Sequence, residues 1–251
     1  MLISSKKLKL EANEIKVWFA SQHHFSDSML LQRFRSWLSP LELQTLSRFR
    51  YHKDQHTYLL AHALLRATLA RYSGVEPSAL TFHTNPYNKP FISLPLTARD
   101  LHFNLSHTDG MVTLGLTRIG TVGIDVEPCF RNNTQIDIAE DVLSPEEYRD
   151  LYRISEHERY ARFMRYWTLK EAFVKATGLG ITSGLKNFMF DLDFDPHPKI
   201  RFLTDSDFNA CQWQFWQRKI GTDHFIAVAC ERPNQGEVKI NFDEALWLSE
   251  M

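Results

Sequence analysis

Asp125 and Glu127 stand two residues apart in the segment Val122-Gly123-Ile124-Asp125-Val126-Glu127-Pro128. On an extended strand, side chains at i and i+2 share a face, so the two carboxylates point the same way while Val122, Ile124 and Val126 turn to the core. Carboxylates that close raise each other's pKa unless a cation intervenes, and at about 4 Å near a protein surface the repulsion costs about 4 kcal/mol. A divalent ion removes that cost. All-oxygen ligation favours magnesium, manganese or calcium over zinc. Taken alone, the pair reads more readily as an exposed strand face in water.

A second group lies in Tyr166-Trp167-Thr168-Leu169-Lys170-Glu171-Ala172-Phe173-Val174-Lys175-Ala176. Helical spacing sets Met164, Thr168, Glu171 and Lys175 along one face, with Phe163, Tyr166, Phe173 and Val174 free to pack inward. Glu171 can complete a three-carboxylate metal site, and Lys175, one turn later, can hold a phosphate oxygen. The plain alternative is a surface Glu–Lys pair, worth about 0.3–0.5 kcal/mol. Phe103-Asn104-Leu105-Ser106-His107 ends a strand at the Asp109-Gly110 turn, where a hydroxyl and an imidazole can meet a phosphate. Ser106 lacks a GxSxG elbow, which argues against a hydrolase. Asn85-Pro86-Tyr87-Asn88-Lys89-Pro90 reads as a stiffened turn able to present backbone groups to a flat base.

The elements that must position these groups follow from period and punctuation. A strand is expected over 15–20, helices over about 27–38, from Ser39-Pro40 toward Arg50, and over 54–72 up to Gly74. Period-2 alternation then predicts strands over 101–106, 111–118 and 121–127, read together as an antiparallel meander. Ser144-Pro145-Glu146-Glu147 carries a capping-box signature. A long helix is expected over 155–177, ending at Gly178, followed by strands over 187–194, 199–204, 212–220 and 224–231. Helices then strands, twice over, predict an α+β chain of two similar halves, 1–118 and 119–251, with the acids in the second.

Composition bounds the rest. The 251 residues carry a formal charge of -1, with 43% hydrophobic and 24% charged residues, an ordinary globular mix that offers no electrostatic case for nucleic acid or a membrane surface. Three distant cysteines make neither a disulfide framework nor a zinc site. No stretch is apolar and long enough for a membrane span, and Met1–Leu10 lacks a signal peptide's apolar run, so a cytoplasmic location is expected.

Together the four segments resemble the larger, monomeric class of 4'-phosphopantetheinyl transferases, the type that activates surfactin synthetase. Its GKP-like turn, F-N-x-S-H segment, G-[IV]-D-x-E strand and W-[TS]-x-K-E-[AS]-x-x-K helix correspond to Asn88-Lys89-Pro90, Phe103–His107, Gly123–Glu127 and Trp167–Lys175. The resemblance implies two α/β halves in pseudo-twofold relation, each a helix on a small antiparallel sheet, acting as a monomer. It implies transfer of the phosphopantetheine arm of coenzyme A to a serine of an apo acyl or peptidyl carrier protein, releasing 3',5'-ADP. By the same resemblance Asp125, Glu127 and Glu171 would ligate Mg2+, with Mn2+ as a substitute. Lys175 would bind the coenzyme's phosphates, Ser106 and His107 its 3'-phosphate, and the Tyr87–Phe91 turn, with Lys89 and Pro90, its adenine end. Glu147 or Glu171 would take the serine proton. The turn departs from the family at Asn88, and where some members carry lysines the chain reads Leu41-Glu42-Leu43-Gln44-Thr45. A non-catalytic coenzyme A- or carrier-binding module would keep Ser106, His107 and Lys89 but need no three acids. A nuclease-like phosphoester enzyme would need a basic stripe with interleaved aromatics, absent here.

Overall fold

A computed structural model describes residues 7–86, 89–130, 133–178, 184–193, 197–232 and 238–251. The chain divides into two units, Met1–Arg118 with Glu237–Met251, and Ile119–Gly236. The first contains β1 (Glu14–Ser21), α1 (Ser28–Trp37), α2 (Pro40–Arg48), α3 (His52–Ser73), β2 (Thr81–Thr84), β3 (Pro90–Leu94), β4 (His102–Thr108) and β5 (Met111–Thr117). The second contains β6 (Val122–Pro128), α4 (Ala139–Val142), α5 (Pro145–Arg153), α6 (Glu156–Thr177), β7 (Phe188–Asp191), β8 (Lys199–Phe202), β9 (Trp213–Ile220) and β10 (His224–Glu231). The last strand, β11 (Lys239–Glu244), returns to the first unit by pairing in parallel with β1. The tail therefore packs with the first unit, although the sequence assigned everything after residue 119 to one half.

Each unit repeats one plan. The first sheet runs β11-β1-β5-β4 and the second β6-β10-β9. In both, the strand before the long helix pairs antiparallel with a strand from the hairpin that follows it, β1 with β5 and β6 with β10. Two-stranded ribbons, β2–β3 and β7–β8, follow each long helix. The expected meander of three strands is thereby corrected: β4 and β5 pair, but β6 leaves them for β10, because Ile119-Gly120 marks the passage between units rather than a hairpin turn.

The local chemistry is duplicated too. Ser39 and Ser144 both close capping boxes, with proline as the first helical residue and Glu42 or Glu147 bonding back to the serine N–H. Both α3 and α6 are 22 residues long and stop at a left-handed glycine, Gly74 (φ 80°) and Gly178 (φ 75°). At the same position counted from each helix start sits a buried cation, Arg66 or Lys170. Arg66 donates to the carbonyls of Pro77 and Leu80, and Lys170 to those of Leu185 and Phe188. Each cation also pairs with its capping glutamate, Arg66 Nη2 with Glu42 at 2.6 Å and Lys170 Nζ with Glu147 at 2.8 Å. One carboxylate thus caps a short helix and neutralises the cation of the long one.

Burial alone would raise the Glu42 carboxyl. Hydrogen bonds from His62, Arg66 and the Ser39 N–H, with the Arg66 charge, outweigh it and hold the group at about 2 against an ordinary 4.5. A depressed carboxyl stabilises the fold above its unfolded pKa, and that contribution is lost as pH falls through the folded value. The stability gap between the parent chain and Glu42→Gln should therefore be about 3 kcal/mol at neutral pH and close between about pH 4.5 and 2, as read by urea unfolding at stepped pH. A gap that does not change over this range would remove the ion pair from the account.

The first core lies where α3 crosses β4 and β5, with Leu60, Leu64, Leu114 and Leu116 buried. The second lies under α6 and is aromatic: Phe173 meets Phe188, Trp213 and Phe215, with ring centroids 4.9–6.1 Å apart.

Candidate functional site

Strand β6 meets α6 through a row of very small residues. A Cβ added at Gly123 would lie 2.0 Å from the Ala172 carbonyl oxygen and 2.4 Å from the Ala176 nitrogen, both backbone atoms of α6. Gly123 is paired with Ala229 on β10, and Asp125 with Ala227. Glycine and alanine on both partners let the helix backbone settle directly on the sheet. Gly123, Asp125 and Glu127 share a strand face, so both acids look toward the helix. The sequence reading put Val122, Ile124 and Val126 toward the core and the acids on the other face, and that other face is the one α6 covers. Val122, Ile124 and Val126 are buried as well, so β6 is covered on both sides. Gly123→Ala should cost about 3 kcal/mol or more, since the intruded atoms are helix backbone, although alanine is otherwise the better strand residue. Urea unfolding tests this, and an unchanged midpoint would mean that α6 can lift off the strand at little cost.

The helix brings its own groups to the same seam. Lys175 Nζ donates to Asp125 Oδ1 at 2.5 Å. Lys175 thus serves the strand acid. Glu171 is 7% exposed, and its Oε1 is buried with no hydrogen-bond partner among the described residues. Burial first, and then the charge of Asp125, push its carboxyl up to about 7, with Lys175 pulling the other way. Glu127 is half-buried, with its Oε1 accepting from Trp167 Nε1 at 3.4 Å. The structure therefore brings Asp125, Glu171 and Lys175 into one electrostatic group, with Glu127 next to it on the strand. Among the described residues no three acid, histidine or cysteine side chains are gathered tightly enough to hold an ion. The fit to a hard cation rests on the first two carboxylates: they repel each other, one has a buried oxygen unserved, and all donors are oxygens.

Two supports were invisible at the level of motifs. Gln217, in register with Ala227 and so in the same cross-strand row as Asp125, is buried and donates to the Thr168 hydroxyl and the Arg165 carbonyl. Arg165 Nε in turn donates to its amide oxygen at 2.7 Å. This lock fixes the rotation of α6 one turn before Glu171. Trp167, noted only as part of a segment, orients Glu127.

Glu147 lies elsewhere in the unit. Its carboxylate is buried and accepts from the N–H groups of Ser144 and Phe190, at 2.9 and 2.8 Å, and from Lys170. These contacts tie the start of α5 to α6 and β7. In the first unit, Ser106 and His107 both lie within β4, opposite Thr113 and Val112. Consecutive strand residues point to opposite faces, and accordingly Ser106 is buried while His107 is exposed. Lys89 closes a turn with Asn85, its N–H bonding Asn85 Oδ1 at 2.9 Å, and Pro90 opens β3. Burial, and then the charge of Lys89, lower the pKa of His102. Tyr87 and Asn88 lie outside the described residues.

Comparison with known proteins bears on both units. Residues 121–229 match the 4'-phosphopantetheinyl transferase superfamily model, and residues 17–117 match that of the 4'-phosphopantetheinyl transferase N-terminal region. The 4'-phosphopantetheinyl transferase Sfp of Bacillus subtilis strain 168 is 33% identical over 218 residues, covering 86% of this chain and 92% of that protein. Another 4'-phosphopantetheinyl transferase of Bacillus subtilis is 32% identical over 169 residues, 67% of this chain and 72% of the relative. A phosphopantetheinyl transferase of Thraustochytrium is 28% identical over 213 residues.

Proposed function

From the premise that the chain belongs to the 4'-phosphopantetheinyl transferases, and so carries phosphopantetheine from coenzyme A to carrier proteins, we propose that the α6–β6 seam is its transfer site and that it works with magnesium. The observation that carries this reading is the Asp125–Glu171 pair, two buried carboxylates in mutual repulsion beside Lys175. Asp125, Glu171 and, from the next position on the same strand face, Glu127 would hold the ion. When bound, the ion supplies positive charge to the pyrophosphate oxygens of coenzyme A and to the phosphate that leaves; manganese offers the same chemistry.

The chain's own residues do the rest. Lys175 exchanges its Asp125 contact for a phosphate oxygen and steadies the reacting phosphorus. The carrier serine oxygen forms a bond to the β-phosphorus, the bond from that phosphorus to the bridging oxygen breaks, and 3',5'-ADP departs with the electron pair. The serine proton passes to a carboxylate. Glu147 has its acceptor positions filled by Ser144, Phe190 and Lys170, so Glu171 is the acceptor proposed here. The small row under α6 and the Gln217 lock keep Glu171 and Lys175 at fixed reach from Asp125, and transfer of this kind depends chiefly on such positioning. Lys89, Pro90, Ser106 and His107 are proposed as coenzyme contacts of the first unit, and a single chain acting in the cytoplasm is sufficient for the activity.

The test mixes the chain with an apo carrier protein and coenzyme A, and follows the carrier by mass spectrometry. Magnesium should give the phosphopantetheine mass shift, and excess EDTA should lower the rate by at least about 10^3-fold, restored by magnesium or manganese. Full turnover in the chelator would leave the acids without a metal to serve.

A further inference from the structure

Arg35, His52, Lys53 and His56 surround a cavity of about 370 Å3 in the first unit, with Leu31 and Leu59 as apolar wall and, among the described residues, no carboxylate in the lining. They come from two elements: Arg35 from the last turn of α1, the other three from the opening turns of α3. Arg35, His52 and Lys53 make no side-chain hydrogen bond or ion pair among the described residues. His56 is fixed by its Nε2, which donates to the Phe25 carbonyl at 2.7 Å. Lys53 also carries the wrong sign for its place, because the first turn of a helix favours anions. Asp54, the one acid of that turn, does not line the cavity, and Tyr51 gives no side-chain cap.

Basic groups from two helices, converging on one concavity without a counter-charge, call for an anion. The size suits a small molecule rather than a lone ion, and the two leucines ask for an organic part. We propose that this pocket binds a small phosphomonoester, its phosphoryl oxygens held by Arg35 and Lys53 and its organic portion lying against Leu31 and Leu59. A dianionic phosphoryl group offers separate oxygens to both cations, which a single carboxylate does less well. None of these residues belongs to the α6–β6 seam.

The experiment is a titration of the 15N-labelled full chain with phenyl phosphate and, separately, with inorganic phosphate, read from the backbone amides of Arg35 and His52–His56. Saturable shifts at the same amides are expected with both, and phenyl phosphate should bind at least about threefold more tightly through the leucines. Arg35→Glu with Lys53→Glu should weaken binding at least about tenfold while the rest of the spectrum stays in place. Arg35→Gln with Lys53→Gln serves if charge reversal disturbs folding. No saturable shift at millimolar ligand, shifts that persist in both double variants, or no advantage for the phenyl ring would overturn the proposal. Saturating coenzyme A is the last arm. Phosphate should still shift these amides in its presence, and displacement would make the pocket part of the coenzyme's own site.

Discussion

Glu171→Gln should lose at least about 10^3-fold in transfer rate and yet, in EDTA at pH 8, melt above the parent chain. Loss of activity follows from removing one of the three carboxylates proposed to hold the ion, and with it the proposed acceptor for the serine proton. The gain in stability follows from the same geometry. With its carboxyl raised to about 7 against an ordinary 4.5, Glu171 binds protons more readily folded than unfolded, so its charged form opposes folding. The sign is the reverse of that at Glu42: the penalty is absent below about pH 4.5, grows through the interval, and is complete above about 7. The advantage of Glu171→Gln should therefore be about 1–3 kcal/mol at pH 8 and shrink toward pH 5. Magnesium should raise the melting point of the parent chain and have less effect on the variant, because an ion that binds only the folded state stabilises it by mass action. Circular dichroism melts at both pH values, with and without magnesium, separate these terms. A variant that keeps transfer, or that melts below the parent at pH 8 in EDTA, would show that Glu171 is neither the acceptor nor a strained acid.

Much of this site is legible in the residue order alone, and what is not has a definite cause. Local rules were sufficient for the capping boxes at Ser39 and Ser144, for both long helices and for their glycine stops, since each depends on residues within a few positions of one another. The strand period put Asp125 and Glu127 on one face, because that depends only on backbone alternation. It did not say which face would receive the helix. Both faces of β6 are buried, and the only local sign was Gly123, whose missing side chain is what lets α6 approach the acids' side. Strand pairing is non-local in the same way. The run from β4 to β6 looks like a continuous meander, but β6 finds its partner about a hundred residues later, and β11 returns to β1 across nearly the whole chain. Glu147 shows a third limit. Its spacing from Ser144 announced the capping box that forms, but nothing in that spacing foretold the buried contacts its carboxylate also makes with Lys170 and Phe190.

Those contacts set up the largest stability effect expected in the molecule. Lys170→Met keeps the volume and the helix propensity but strands a carboxylate whose side chain, like that of Lys170, is 0% exposed. Burial lowers the pKa of Lys170 and the charge of Glu147 raises it, so the two groups are tolerable in the core only as a pair. Removing one partner of such a pair costs about 3–5 kcal/mol, enough to threaten the folding of the second unit. Adding Glu147→Gln should recover a large part of the loss, since the amide oxygen can still accept from Phe190 while no charge is left buried. The equivalent change in the first unit should be milder. After Arg66→Met, Glu42 keeps the His62 hydrogen bond and 12% exposure to water. Urea unfolding of Lys170→Met, Glu147→Gln, their double variant and Arg66→Met tests the ordering. A cost at Lys170 no greater than at Arg66, or no rescue in the double variant, would mean that its bonds to the Leu185 and Phe188 carbonyls, rather than the buried charge, govern its place in the core.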